Sequence, residues 1–281
     1  MNDTPAESGS PAQTDWDAAG FYTKYYEAVK DSRANATYCE RLFGKDFGQH
    51  GFAEVRHLDA LMEVVGLEKG MTTLDLGCGN GGISEYLSDR TGANFVGIDF
   101  IPEAIAQAVE RTASKRDRLQ FRVMDMSLLD FADGSFDVIL AVDTLYFTPL
   151  NETLTNLLRL LKPGGRMGVF WSVGADPQVP LKIFDKTTCH PDRTELAVAL
   201  QNRGLDYRTW NYSQADYEHA QRKQKIAEEL KAQFEAEGNL FLYENHVGEA
   251  KGVQEAYEAG AHARYLYRIE NGEKILTGYA G

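Results

Sequence analysis

The chain has 281 residues, 43% hydrophobic and 25% charged, which suits a globular protein with room for one α/β domain and an insertion. A net charge of −13, with no cluster of Lys and Arg interleaved with aromatics, argues against a nucleic-acid partner. No apolar run approaches the roughly 20 residues that cross a bilayer, and the three cysteines are odd in number and lack CxxC spacing, so membrane, disulfide and metal classes are all disfavoured.

Residues 1–15 are polar, rich in Ser, Pro, Asp and Ala, and are expected to form a disordered tail rather than a secretory signal. With cysteines that no framework pairs, this suggests a reducing, cytoplasmic setting. Residues 16–69 read as a helical cover. Phe21, Tyr22, Tyr25, Tyr26 and Val29 recur at helix spacing, as do Val55, Leu58, Leu61, Met62 and Val65, around an irregular glycine-bearing stretch at 43–52.

At residue 70 the pattern changes. Strands are predicted at 72–76, 94–98, 119–123, 136–142 and 166–172, separated by helices at 82–89, 102–113 and 151–161. Such alternation means a parallel sheet with crossover helices, and the run Val138-Ile139-Leu140-Ala141-Val142 suits a buried central strand. A helix at 194–202 and a strand at 206–212 follow. A helical insertion is expected over about 214–263, with helices at 214–237 and 253–263, before a closing strand at 264–269.

The chemistry concentrates at strand ends. Leu74-Asp75-Leu76-Gly77-Cys78-Gly79-Asn80-Gly81-Gly82 joins a strand to a helix, and its glycines let the backbone turn sharply and approach a ligand. Asp75 stands before them, where its charge would repel a pyrophosphate but attract an ammonium group. Asp99, in Val96-Gly97-Ile98-Asp99, follows Gly79 by 20 residues (99 − 79), the spacing at which an acid meets ribose hydroxyls. Phe100 beside it can cover an adenine face. Asp125 ends the third strand, where it can accept from an adenine amino group while the Met126 backbone meets the ring edge.

Together LDLGCGNGG, GID, the Asp125 strand end, FDVILAVDTLYF and LLKPGGRMGVFW resemble the class I S-adenosylmethionine-dependent methyltransferases, over roughly residues 70–172. The resemblance implies a Rossmann-like sheet of seven strands with the last antiparallel, and S-adenosylmethionine as cofactor. It also implies cofactor contacts at Asp75, Gly77, Gly79, Asp99, Asp125 and around Val142, and by position the Cys78 backbone, Phe100 and Met126 are read as joining them. Gln49-His50-Gly51-Phe52 resembles a His-Gly loop found before the core in several small-molecule members.

Methyl transfer is an in-line displacement at an activated sulfonium, so alignment and exclusion of water matter most. A base is needed only where the acceptor must lose a proton. Asp143 and Tyr146 at the fourth strand end, with Tyr25, Tyr26 and His50 from the cover, are the candidates. The [Asp/Asn]-Pro-Pro-aromatic motif of adenine and glutamine methyltransferases is absent, so a small-molecule acceptor is expected. An NAD-dependent oxidoreductase and a non-catalytic cofactor-binding module remain the alternatives.

Overall fold

The computed structural model describes residues 17–174 and 181–272. The tail expected at 1–15 therefore lies outside the described residues.

Three helices come first. α1 (Ala18–Lys30) starts where the Asp17 carboxylate accepts the Gly20 amide, and α2 (Arg33–Phe43) starts where the Ser32 hydroxyl accepts the Asn35 amide. α3 (Val55–Val65) stops at Gly66, which takes the left-handed conformation that ends helices. The cover thus holds one helix more than the two periodic stretches suggested. α2 is rich in polar residues, and it is fixed by contacts from far along the chain: Glu237 accepts from the Ser32 hydroxyl and the Ala34 amide.

The core alternates β1 (Thr72–Leu76), α4 (Gly82–Thr91), β2 (Asn94–Asp99), α5 (Pro102–Arg111), β3 (Leu119–Val123), β4 (Phe136–Val142), α6 (Leu150–Leu160) and β5 (Leu161–Gly174). Next come α7 (Glu195–Asn202), β6 (Tyr207–Asn211), α8 (Ser213–Ala236), α9 (Leu240–Glu258) and β7 (His262–Glu270). The seven strands form one sheet in the order β3-β2-β1-β4-β5-β7-β6. β1 to β5 pair in parallel, while β7 runs antiparallel to both β5 and β6. The expected α/β sheet with an antiparallel last strand is therefore present.

The second helix of the insertion begins at Leu240 rather than 253, and the closing strand begins at His262. Gly248 and Gly252 interrupt the apolar pattern of α9, yet a Cβ at either would meet nothing within 4 Å. α9 is held through α8 instead: Tyr217 and Tyr257 stack at 4.6 Å, and the Tyr257 hydroxyl donates to Gln214.

The sheet is covered on both faces. Leu154, Leu157 and Leu160 of α6 pack with Leu196 and Leu200 of α7 in one core. The opposite core joins Leu58 and Leu61 of α3 to Tyr25, Tyr38, Phe234 and Leu242 from α1, α2, α8 and α9. β1 and β4 are neighbours whose crossovers leave in opposite directions, and at such a switch point an open α/β sheet forms a crevice beyond its strand tips. Among the described residues, no helix is long and apolar enough to cross a membrane.

Candidate active site

Beyond β1 the chain turns through Gly77, Cys78 and Gly79, with Gly77 at φ 64° and Gly79 at φ 54°. Side chains disfavour these values, and there is no space for one here. A Cβ on Gly77 would meet the Thr144 methyl at 2.5 Å, and one on Gly79 would collide with the Tyr26 hydroxyl. The turn is laced to β2. The Cys78 amide donates to the Ile98 carbonyl (2.9 Å) and the Gly79 amide to Asp99 Oδ2 (2.8 Å). Asp99 Oδ1 accepts the Ile101 amide at 2.9 Å, so each oxygen is oriented yet keeps a lone pair.

These tips border a cavity of about 790 Å³, open mouth included. Asp75, Gly77, Cys78 and Gly79 line it at the turn, and Asp99, Phe100, Met126 and Val142 continue the wall from the neighbouring strands. His50 and Asp143 line it as well, beside Tyr22 and Phe147. Three other candidates stand elsewhere. The Asp125 side chain is exposed and outside the wall, its Oδ1 accepting from the Ser127 amide (2.8 Å) and hydroxyl (2.7 Å). Tyr25 is buried behind the wall, where its hydroxyl donates to the Gln49 carbonyl (2.7 Å) and its ring meets His50 edge-on. Tyr146 packs on Trp171 and is 43% exposed, off the cavity.

Burial shapes the charges. Asp75 is pushed up to about 7 by burial, despite the hydroxyl of Ser84 donating to its Oδ2, and nearby Asp99 adds to the rise. Asp99 is also raised by burial, against the pull of its amide donors. Burial raises Asp143 to about 6, with Arg264 holding it back. Burial lowers His50, whose Nε2 lies 3.0 Å from Asn245 Oδ1 on α9. The helical insertion therefore supports the cavity wall from behind. Lys223 of α8, 1% exposed, is ion-paired to Glu249, which in turn lies 3.7 Å from His50.

Of the adjacent candidates, Tyr26 lines the cavity whereas Tyr25 turns inward. Sequence reasoning overlooked two residues that matter here, Tyr22 and Arg264. Tyr22 also lines the cavity, and the signal was available: it is four residues from Tyr26 on α1 and so shares its face. Arg264 is fully buried on β7, where it pairs with Asp143 and with Asp216 of α8. Its partners lie 121 and 48 residues away in sequence, so no local pattern announces it. Among the described residues, no group of three His, Cys, Asp or Glu side chains is placed to hold a metal ion.

Comparison with known proteins agrees with this geometry. A family model described as a methyltransferase domain matches residues 67–234. The chain is 37% identical over 147 residues to a 2-methyl-6-phytyl-1,4-hydroquinone methyltransferase of Synechocystis sp., covering 50% of this chain and 45% of the relative. It is 30% identical over 206 residues to a sterol 24-C-methyltransferase of Yarrowia lipolytica, covering 68% and 54%. Among solved structures, a phosphoethanolamine N-methyltransferase 2 of Haemonchus contortus, in complex with phosphomonomethylethanolamine and S-adenosylhomocysteine, shares the fold with a TM-score of 0.70. That match is 20% identical and covers 90% of this chain and 60% of the other. The chain spans about half the length of the curated relatives it matches. With 168 of its 281 residues (234 − 67 + 1) inside the family model, it belongs to the methyltransferase-domain family.

Proposed function

We propose that this protein transfers a methyl group from S-adenosylmethionine to a small-molecule acceptor. One observation carries the reading: Asp75 and Asp99, at adjacent strand tips, line one cavity together with the glycine turn between them. This pair of carboxylate acceptors fits a ligand bearing an ammonium group and a vicinal diol. Asp75, beside the turn where a dinucleotide would place its pyrophosphate, would repel that group, which disfavours an oxidoreductase.

In this reading Asp75 meets the amino-acid end, Gly77 to Gly79 offer their backbone, and Asp99 accepts from the ribose hydroxyls. Phe100, Met126 and Val142 supply apolar contact for the base. Asp125, engaged with Ser127, shapes the turn that carries Met126. The bound donor supplies an already activated methyl group, so the protein's own part is to align the acceptor and keep water out. Tyr22, His50, Phe147 and Asp143 form the acceptor side. The helices α1 to α3 and the pair α8–α9 act as covers, which a mere cofactor-binding module would not need. Three free cysteines support a reducing, cytoplasmic setting.

Calorimetric titration with S-adenosylhomocysteine tests the donor. Saturable binding with no response to NAD is the expected result, and the reverse pattern would overturn the reading. A screen of small acceptors with donor labelled in the methyl group then separates an enzyme from a binding module.

A further inference from the structure

Among the described residues that line the cavity, three are carboxylates, Asp75, Asp99 and Asp143, and none is a lysine or an arginine. The basic side chains of this region are engaged elsewhere. Arg264 donates to Asp143 Oδ2 (2.6 Å) and to Asp216 Oδ1 (2.8 Å), Lys223 is ion-paired to Glu249, and Lys24 lies 3.9 Å over the Phe241 ring. His50 lines the cavity too, and burial holds its imidazole below its ordinary value, towards the neutral form. An anionic acceptor would meet carboxylates here and find no cation to pair with.

The same side of the cavity is aromatic. The Tyr22 ring stands perpendicular to His50 (5.6 Å, 89°) and to Phe147 (6.1 Å, 87°), while Phe21 and Tyr25 pack on His50 at 5.4 and 5.1 Å. Aromatic rings carry negative faces, and rings set at right angles make a corner that suits a cation better than a neutral group of the same shape. The Tyr22 phenol feels the neighbouring acids: burial raises it most, and Glu249, Asp99 and Asp143 each add to the rise.

We propose that Tyr22 and His50 wall a cation subsite on the acceptor side, so that the methyl acceptor carries a cationic nitrogen and is not a phosphate, a diphosphate or a carboxylate. The inference rests on the methyl-transfer reading above, because the donor must fill the side of Asp75 and Asp99 and leave this corner to the second substrate.

The test needs no knowledge of the acceptor. Aza analogues of the donor, in which nitrogen replaces sulfur and carries an ethyl arm, place a chosen group in the corner. Calorimetry on the full chain compares arms ending in trimethylammonium, in its neutral isostere tert-butyl, and in phosphate. It is run at pH 8, above the values to which burial raises Asp75 and Asp143. The trimethylammonium arm should bind about tenfold more tightly than the tert-butyl arm, the worth of a desolvated cation–π contact, and the phosphate arm should bind most weakly. Tyr22→Leu should close the gap between the first two arms, whereas Tyr22→Phe, which keeps the ring, should preserve it.

Equal binding of the charged and neutral arms by the native protein overturns the inference, and that comparison stands even where a variant fails to fold. Tightest binding of the phosphate arm overturns it as well. So does a gap that survives Tyr22→Leu, which would take the cation away from this corner. S-adenosylhomocysteine carries no arm, so its failure to bind the native protein would instead overturn the methyl-transfer reading itself.

Discussion

The Tyr26 hydroxyl of the N-terminal helix sits directly against Gly79 of the strand-to-helix turn, leaving no space for a side chain there. The cover is therefore keyed to the turn, and the two must be built together. Tyr26 is also buried, and its peptide carbonyl accepts from Gln107 of α5 at 2.9 Å, so the helix has little freedom to retreat.

Gly79→Ala should accordingly reduce S-adenosylhomocysteine affinity by roughly 100-fold, through both the collision and the left-handed backbone. Adding Tyr26→Phe removes the colliding oxygen but leaves the backbone strain, so the double variant should recover about tenfold of that loss. Calorimetry on both single variants and the double variant checks the coupling. Simple additivity between them would mean that the contact does not govern the turn.

Asp99 is braced by the amides of Gly79 and Ile101, so its carboxylate is aimed before any ligand arrives. Asp99→Ala should lower S-adenosylhomocysteine affinity by about 100-fold, the worth of two charge-assisted hydrogen bonds. Asp99→Asn, which keeps the shape but replaces one acceptor by a donor, should cost about tenfold. Thermal melts of both variants establish that the fold survives. Unchanged affinity in folded Asp99→Ala protein would remove Asp99 from the site.

The strands and the acids at their tips were legible because their signals are local. In a parallel sheet each strand is an apolar run, and Gly77, Gly79 and Asp99 mark its end by residue type alone. What escaped was set by distant contact. Nothing around α2 declares that Glu237 will cap it. A charged residue in an apolar strand, as Arg264 is, makes sense only beside Asp143 and Asp216. Asp125 shows the limit of a local signal: its position at a strand end suits a ligand contact, and in the structure Ser127, two residues on, engages its Oδ1.

Asp75 makes donor binding sensitive to pH. Burial raises it to about 7, above its ordinary 3.8, so the folded protein holds a proton there that the unfolded chain releases between those values. Its contribution to stability is therefore greatest at low pH and is lost as pH rises through that window. An ammonium group favours the ionised form, so binding below pH 7 must release the proton. S-adenosylhomocysteine affinity should fall by up to about tenfold per unit below pH 7 and level off above it. Calorimetry in buffers of different ionisation enthalpy counts the proton, and Asp75→Asn should flatten the profile. A flat profile in the native protein would contradict the assignment.

Glu54, just before α3, anchors the insertion to the cover. It accepts from Arg222 of α8 at 2.7 Å and lies 3.5 Å from His219 and 3.7 Å from His57. Burial keeps both histidines below their ordinary value, so Arg222 and Arg56 are the cations facing Glu54 at neutral pH. Burial alone would raise Glu54, but these partners outweigh it and hold the carboxyl at about 2. A carboxyl depressed in this way contributes stability that is present above its unfolded value, near 4.5, and is lost as pH falls towards 2. Glu54→Gln should destabilise the protein by about 2 kcal/mol at pH 7, because it leaves the polar atoms around it partly unpaired. The deficit should shrink on acidification, since the unfolded chain then takes up a proton that the native carboxyl does not. Urea unfolding of both proteins at pH 7 and pH 4 measures this, and an equal deficit at the two values would show that Glu54 acts through packing rather than charge.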